Sequence, residues 1–308
     1  MIKNLMTRRE MLGTTAAGAA LALTTNPLRA QAESPASGTL QLKKAVKIGM
    51  VGGELKDLPL AEKFAAVKKI GYDGIELNAP DDLTPKQVLA AIDKSGLPVH
   101  GVVDSVHWNQ TLGDPDPAVR AKGVAALQQA LRDAKAYGAT TVLLVPAVVN
   151  EKIFYADAYT RSQGEIRKAV PLAEELGIDI LFENVWNNFL LSPLEAARYI
   201  DELESERVGA YFDVGNVVRY GWPEQWIPVL GNRIGKLDIK AFSRKIMNEE
   251  GLRKGFGVEI GEGSVDWPGV CEQLKKIGFT EGWATAEVRG GGEERLAEIL
   301  DRMRNVLK

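Results

Sequence analysis

From about residue 45 onward, short apolar runs alternate with longer amphipathic ones. The apolar runs are AVKIGMV (45–51), GIELN (74–78), PVHGVVDSV (98–106), TTVLLVP (140–146), DILFEN (179–184), VGAYFD (208–213), IGKLDIKAF (234–242) and WATAEV (283–288). Their length and β-branched content are those of buried strands. Between them, stretches such as LAEKFAAVKKIG, TPKQVLAAIDKSG and VAALQQALRDAKAYG place apolar residues at helical spacing and close on a glycine, a common helix stop. Eight strand-helix units predict an α/β fold, the (β/α)8 TIM barrel. A doubly wound open sheet competes with it, but no GxGxxG follows the first strand and there is no P-loop. The glycine-rich GEGSVDWPG (261–269) reads as turn chemistry.

Alternation within the late strands then selects which side chains enter the lumen. With Ile178, Ile180 and Phe182 facing out, Leu181 and Glu183 face in; with Val208, Ala210 and Phe212 out, Tyr211 and Asp213 face in. The seventh strand sends Asp238 and Lys240 inward, and the eighth sends Thr285 and Glu287. Four consecutive strands thus carry one carboxylate each toward the same mouth. Such a cluster repels itself, and several members stay protonated unless a cation joins them. A divalent metal is the predicted resolution; Lys240 as counter-charge is the all-protein alternative. Glu76, read as the end of strand two, faces the lumen, where it binds a substrate hydroxyl or pairs with Lys240. His107 is read at the inward end of strand three, within reach of substrate, and His100 on the opposite phase, as a structural residue.

Composition narrows the chemistry. The chain is 45% hydrophobic and 26% charged, with a formal net charge of -3. Its 38 basic residues are dispersed among 41 acidic ones, which argues against a nucleic-acid partner. One cysteine, Cys271, excludes an internal disulfide and a Cys-based zinc motif, and two histidines oblige any metal site to rely on carboxylates. The N-terminus reads separately: TRREMLG (7–13), the apolar TTAAGAALALTT and Ala30-Gln31-Ala32 have the order of a twin-arginine signal peptide over residues 1–32. Residues 33–43 follow as a linker and 44–308 as one TIM-barrel catalytic domain. This predicts passage through the twin-arginine export machinery and a periplasmic or other extracytoplasmic location. The connection from Ser243 to Asp266 is long for a barrel loop and reads as a rim lid or a surface insertion.

FENVW, YFDVGN, DIKAFSR, GEGSVDW and the final AEV resemble the sugar phosphate isomerase/epimerase group of xylose isomerase-like TIM barrels, which also includes ketose 3-epimerases and endonuclease IV. The resemblance implies that a Glu, an Asp, a His and a second Glu from strands five to eight bind Mn2+ or a similar ion. Carried over, these are Glu183, Asp213, Asp238 and Glu287, with Glu183 and Glu287 also the catalytic base and acid. The chain departs where the family reads HxKD and it reads DIKA: Asp238 stands in the histidine's place and Ala241 in the aspartate's. Oxygen-only ligation favours Mn2+, with Mg2+, Co2+ or Ca2+ as alternatives, over Zn2+. Asn216 stands where the family often has a histidine, and Arg244 matches a substrate-contacting arginine; Trp186, Trp222 and Trp267, in or near mouth loops, are candidates to stack on a sugar.

The activity so implied is that of a metal-dependent sugar isomerase or epimerase working through an enediolate. Export points to an unphosphorylated carbohydrate. A lyase acting on 3-keto-glycosides needs the same parts, and a non-catalytic carbohydrate-binding barrel is the alternative that the His-to-Asp change favours. Phosphodiester hydrolysis, as in the endonuclease branch, requires several histidines and more than one zinc. A homo-oligomer is compatible with the reading.

Overall fold

The structure, a computed structural model, describes residues 39–308. The signal peptide reading over 1–32 lies outside these residues. Eight strands, β1 (Gln41–Lys47), β2 (Gly74–Ala79), β3 (Val99–Asp104), β4 (Thr141–Leu144), β5 (Asp179–Glu183), β6 (Val208–Asp213), β7 (Ile234–Ile239) and β8 (Glu281–Ala286), pair in parallel in chain order and close on themselves through β1 and β8. The predicted α/β barrel is therefore present. Helices α1 (Leu60–Ile70), α2 (Pro85–Ser95), α3 (Pro117–Tyr137), α4 (Tyr155–Ile166), α5 (Val170–Leu176), α6 (Pro193–Asp201), α7 (Pro223–Leu230), α8 (Arg244–Glu250), α9 (Trp267–Lys276) and α10 (Glu293–Val306) form the surrounding layer.

Local sequence sets these limits. Thr84 caps α2 in a reciprocal box with Gln87, with Pro85 at the first helical position. Asp116 followed by Pro117, and Ser192 followed by Pro193, start α3 and α6 in the same way. Helix α3 stops at Gly138, whose φ of 77° is left-handed and free of Cβ strain only for glycine. Outward strand residues such as Ile75, Leu77, Ile180, Phe182, Phe212 and Leu237 are buried against the buried faces of these helices in one continuous core. Cys271 packs there in α9, as expected.

Three boundaries differ from the sequence reading. Strand β1 begins at Gln41, so part of the residues read as linker already pairs with β8, with Leu40 and Leu42 buried. The Ser243–Asp266 connection contains α8 and a short 3-10 segment, Leu252–Phe256. Strand β3 ends at Asp104 and carries an irregularity: Ile75 pairs with Val99, but the next β2 residue, Glu76, pairs with Gly101. His100 is the extra residue, and an inserted residue re-aims the side chains around it.

The lumen is layered. Leu143, Leu181 and Tyr211, with Val103 against them, form a small apolar cluster separate from the main core. Beside it runs a buried polar network: Lys236 Nζ donates to the His100 carbonyl at 2.6 Å and lies 2.9 Å from His100 Nδ1. His100 Nε2 is 3.2 Å from Thr285 Oγ1, which is 2.7 Å from the Tyr211 hydroxyl, and that hydroxyl donates to Glu76 Oε1 at 3.0 Å. His100 therefore faces the lumen, contrary to its predicted phase, and is held neutral, its pKa driven well down by burial and then by Lys236 and Lys47.

Candidate metal centre

Above this network, at the C-terminal ends of the strands, the four predicted carboxylates converge. Glu183 and Asp213 are the last residues of β5 and β6, Asp238 is the penultimate residue of β7, and Glu287 directly follows β8. Each offers one oxygen, and those four oxygens lie within 4.8 Å of one another. Asp213 and Asp238 are fully buried and Glu183 nearly so, while Glu287, with its side chain 33% exposed, opens to the mouth. Alternation along each strand is what delivers them, as the sequence predicts.

Two ammonium groups share this box. Lys47, the last residue of β1, donates to Asp238 Oδ2 at 2.8 Å and approaches Glu287 Oε2 to 3.2 Å and Glu76 Oε2 to 3.6 Å. Lys240 lies 3.1 Å from Asp213 Oδ2 and 3.2 Å from Glu287 Oε1, and donates to Asn216 Oδ1 at 3.3 Å. Most of these approaches are close but out of line. Asp213 Oδ2, Asp238 Oδ1, Glu287 Oε2 and Glu76 Oε2 are buried oxygens without a hydrogen-bond partner. Of the candidate ligands, Asp213 Oδ2 and Glu287 Oε2 are met by ion pairs alone, at 3.1 and 3.2 Å, and Asp238 Oδ1 by neither kind of contact, a crowding of negative oxygens that a cation would relieve. The donor set is all oxygen, which fits a hard divalent ion.

The electrostatics carry the same message. Burial, with Glu287 beside it, raises the Glu183 carboxyl well above the carboxylate range; burial also raises Asp213 and, further, Asp238. For Glu287 burial is outweighed by Lys47 and Lys240, which hold it low. Both lysines stay charged: burial opposes their charge, but the surrounding carboxylates raise Lys47 well above its ordinary value and Lys240 likewise. Without an added cation, protons occupy part of the box.

The surrounding predicted residues divide. Asn216 is buried and holds Glu183: its Nδ2 donates to Glu183 Oε1 at 3.1 Å, and its backbone N–H donates to Asp213 Oδ1 at 2.7 Å. Asn184, which the sequence pattern does not single out, ties β5 to β6 by exchanging two hydrogen bonds with the Asp213 backbone. Glu76 sits within β2, fully buried beneath the box, paired with Lys47 rather than Lys240; burial puts it out of a substrate's reach. His107 lies in the segment after β3, not on the strand; its Nδ1 accepts from the Val145 N–H at 3.1 Å, and burial followed by Lys47 pushes its pKa down to about 3. It is a neutral ring.

Arg244 is occupied. Its Nε donates to the Val218 carbonyl at 2.8 Å, its Nη2 to the Gly221 carbonyl, and its guanidinium stacks on Trp222 at 4.6 Å. It braces the loop after β6 rather than presenting a free fork. Trp186 donates from Nε1 to the Asn216 carbonyl at 2.9 Å and packs on Phe256 at 4.7 Å, with Arg219 over its ring. Phe256, from the long seventh loop, also lies 5.4 Å below the Lys240 ammonium, so that loop forms a wall of the mouth. Trp222 is half exposed, whereas Trp267 is buried at the start of α9. Lys47 went unpredicted; its signal was a charge between Val46 and Ile48 in the otherwise apolar run AVKIGMV (45–51).

Comparison with known proteins places these features. L-ribulose-5-phosphate 3-epimerase UlaE of Escherichia coli is 26% identical over 253 residues, covering 77% of this chain and 86% of that protein. Among solved structures, D-psicose 3-epimerase from Clostridium cellulolyticum H10, determined with D-tagatose, superposes with a TM-score of 0.70 at 18% identity, covering 87% of this chain and 100% of that one. The 3-keto-D-glucoside 4-epimerase YcjR of E. coli gives 0.69 at 18% identity, over 86% and 99% of the two chains. The family model described as xylose isomerase-like TIM barrel matches residues 64–306, from α1 to the end of the last helix, and the chain belongs to that family.

Proposed function

We propose that the protein is a metal-dependent sugar isomerase or epimerase acting through an enediolate on an unphosphorylated carbohydrate. The observation that carries this reading is the set of four strand-end carboxylates, three of them with a buried oxygen that accepts no hydrogen bond, converging beside an open rim. Glu183, Asp213, Asp238 and Glu287 would hold the ion, Mn2+ by preference. When bound, such an ion supplies Lewis-acid polarisation of adjacent sugar oxygens, which acidifies the neighbouring C–H.

The chain's own residues supply the rest. Glu183 and Glu287 stand on β5 and just past β8, strands that are not neighbours, so a sugar seated between them meets one carboxylate on each side. One takes the proton from carbon and the other returns it; return to the opposite face epimerises, and return to the adjacent carbon isomerises. Asn216 fixes Glu183 through Oε1, and Lys240 and Lys47 flank Glu287 with positive charge that favours its ionised form. Phe256 and Trp186 form an apolar wall at the mouth, able to shield the reacting carbon from water. The unphosphorylated substrate rests on the twin-arginine reading, which would send the folded protein to the periplasm or another extracytoplasmic space, where free sugars and glycosides are met.

The test is incubation in D2O with Mn2+ and a panel of ketoses and 3-keto-glycosides, followed by NMR. Deuterium at the carbon beside the carbonyl, with an epimer or isomer formed, is expected. Exchange accompanied by loss of the aglycone assigns a lyase instead, and sugar binding by calorimetry without exchange assigns a binding barrel.

A further inference from the structure

Resting on the metal reading above, we propose that Lys47 is a built-in counter-cation of the carboxylate box: it keeps the box assembled without metal and competes with the metal for it, leaving the ion weakly held and exchangeable. Lys47 is a positioning residue in this account, since it acts through Asp238 and Glu287.

The geometry divides the work between two lysines from different sides of the barrel. Lys47 reaches from β1 past β8 to Asp238 on β7, while Lys240 reaches Asp213 on β6. They share Glu287, one on each oxygen. Glu183 has neither ammonium within ion-pair distance among the described residues and relies on Asn216. Below, Glu76 and the face of Tyr211, 5.7 Å from Nζ, hold Lys47 in place, and Tyr211 is itself tied to Glu76 and Thr285. With a side chain 16% exposed and three carboxylates around it, the ammonium has little freedom to leave.

Counting Glu76, five carboxylates face two ammoniums. Uncompensated, five clustered carboxylates, four of them buried, would oppose folding strongly, and a site of that kind assembles only with its metal. Here two positive charges already bridge the box, so folding does not wait for the ion. The same charge acts against loading. A monovalent cation a few ångströms from an incoming divalent one repels it appreciably even at protein-like dielectric. Lys47 also occupies Asp238 Oδ2 by hydrogen bond and leaves only the unpartnered Oδ1 for a ligand. Removing the ammonium should therefore weaken the metal-free fold and tighten metal binding, two changes of opposite sign that a merely structural lysine would not produce.

The experiment compares the full chain with Lys47→Met, which keeps the apolar stem, and Lys47→Arg, which keeps the charge. Thermal unfolding is followed in EDTA and in saturating Mn2+, and Mn2+ affinity is measured by calorimetry. For Lys47→Met the expected result is a lower Tm in EDTA, Mn2+ bound at least about tenfold more tightly than by the native chain, and a larger Tm gain from Mn2+. Lys47→Arg should stay near native in both. A Lys47→Met protein unfolded in EDTA but folded in Mn2+ is the extreme form of the expected result. Equal or weaker Mn2+ binding by Lys47→Met, with the native chain binding normally, overturns the proposal, as does a Lys47→Met protein that stays unfolded even in saturating Mn2+. Absence of binding in native chain and variants alike sinks the metal reading itself. Binding by Lys47→Met alone keeps the counter-cation and removes the metal from the native site.

Discussion

Asp104 offers a quantitative test of the β3 irregularity. Val103, its neighbour, packs on the lumen cluster, so alternation turns Asp104 toward the helix layer, where it is 1% exposed. Its Oδ1 accepts from the Val106 N–H at 3.1 Å, and burial, only partly offset by that bond, lifts the carboxyl from 3.8 to about 7. Below the lower value both folded and unfolded chains hold the proton. Between the two, the unfolded chain ionises first, so stability falls as pH rises; above about 7 the loss is complete and constant. At about 1.4 kcal/mol per pH unit the interval is worth roughly 4 kcal/mol.

Asp104→Asn removes the charge, keeps the shape and can still accept from Val106. It should match the native chain near pH 4 and exceed it by roughly 2–4 kcal/mol near pH 8, the lower figure allowing for an imperfectly paired amide. Urea unfolding of both proteins in EDTA at several pH values is the assay, and the difference between them cancels the other titrating groups where these are independent of the site. A gap that does not widen with pH, or an Asn variant less stable at high pH, refutes the argument.

Other residues make separate predictions. Glu183→Gln and Asp213→Asn should each lower the metal content of purified protein in elemental analysis with circular dichroism unchanged; retention in both would move the ligands elsewhere. Asn216→Ala leaves Glu183 Oε1 without its donor, so Mn2+ affinity should drop by about ten- to a hundredfold, and an unchanged affinity would deny Asn216 its orienting role. Arg244→Met should cost about 1–3 kcal/mol in urea unfolding because two loop carbonyls lose their donor, with KM for the sugar little changed. A large rise in KM at native stability would return Arg244 to the substrate.

What the sequence reveals and what it hides differ by a physical rule. Alternation is local and has period 2, so it places Glu183, Asp213, Asp238 and Glu287 on the lumen side without knowledge of any partner strand. The same rule fails for β3 at one position, because an extra residue interrupts the alternation: Val103 keeps the lumen phase read from His107, and His100, read on the other phase, enters the lumen as well. No residue type at 98–104 announces that insertion. Helix α8 escapes for the opposite reason: none of its residues is buried, so it has no apolar stripe to read. Lys47 is hidden by distance along the chain, since its hydrogen-bonded partner Asp238 is 191 positions away.

That last omission alters the chemistry more than the others. Reading Lys240 as the sole counter-charge makes metal and lysine rivals for one vacancy, so that one excludes the other. With Lys47 present, each aspartate has its own ammonium and Glu287 is divided between both, yet Asp213, Asp238 and Glu287 each keep a buried oxygen without a hydrogen bond. Asp213 Oδ2 and Glu287 Oε2 are met by ion pairs alone and Asp238 Oδ1 by neither kind of contact, so in the proposal above the lysines compete with a divalent ion without excluding it. In that proposal the ammoniums lower the repulsion enough for the metal-free barrel to fold, and the residual negative charge is what a divalent ion would meet.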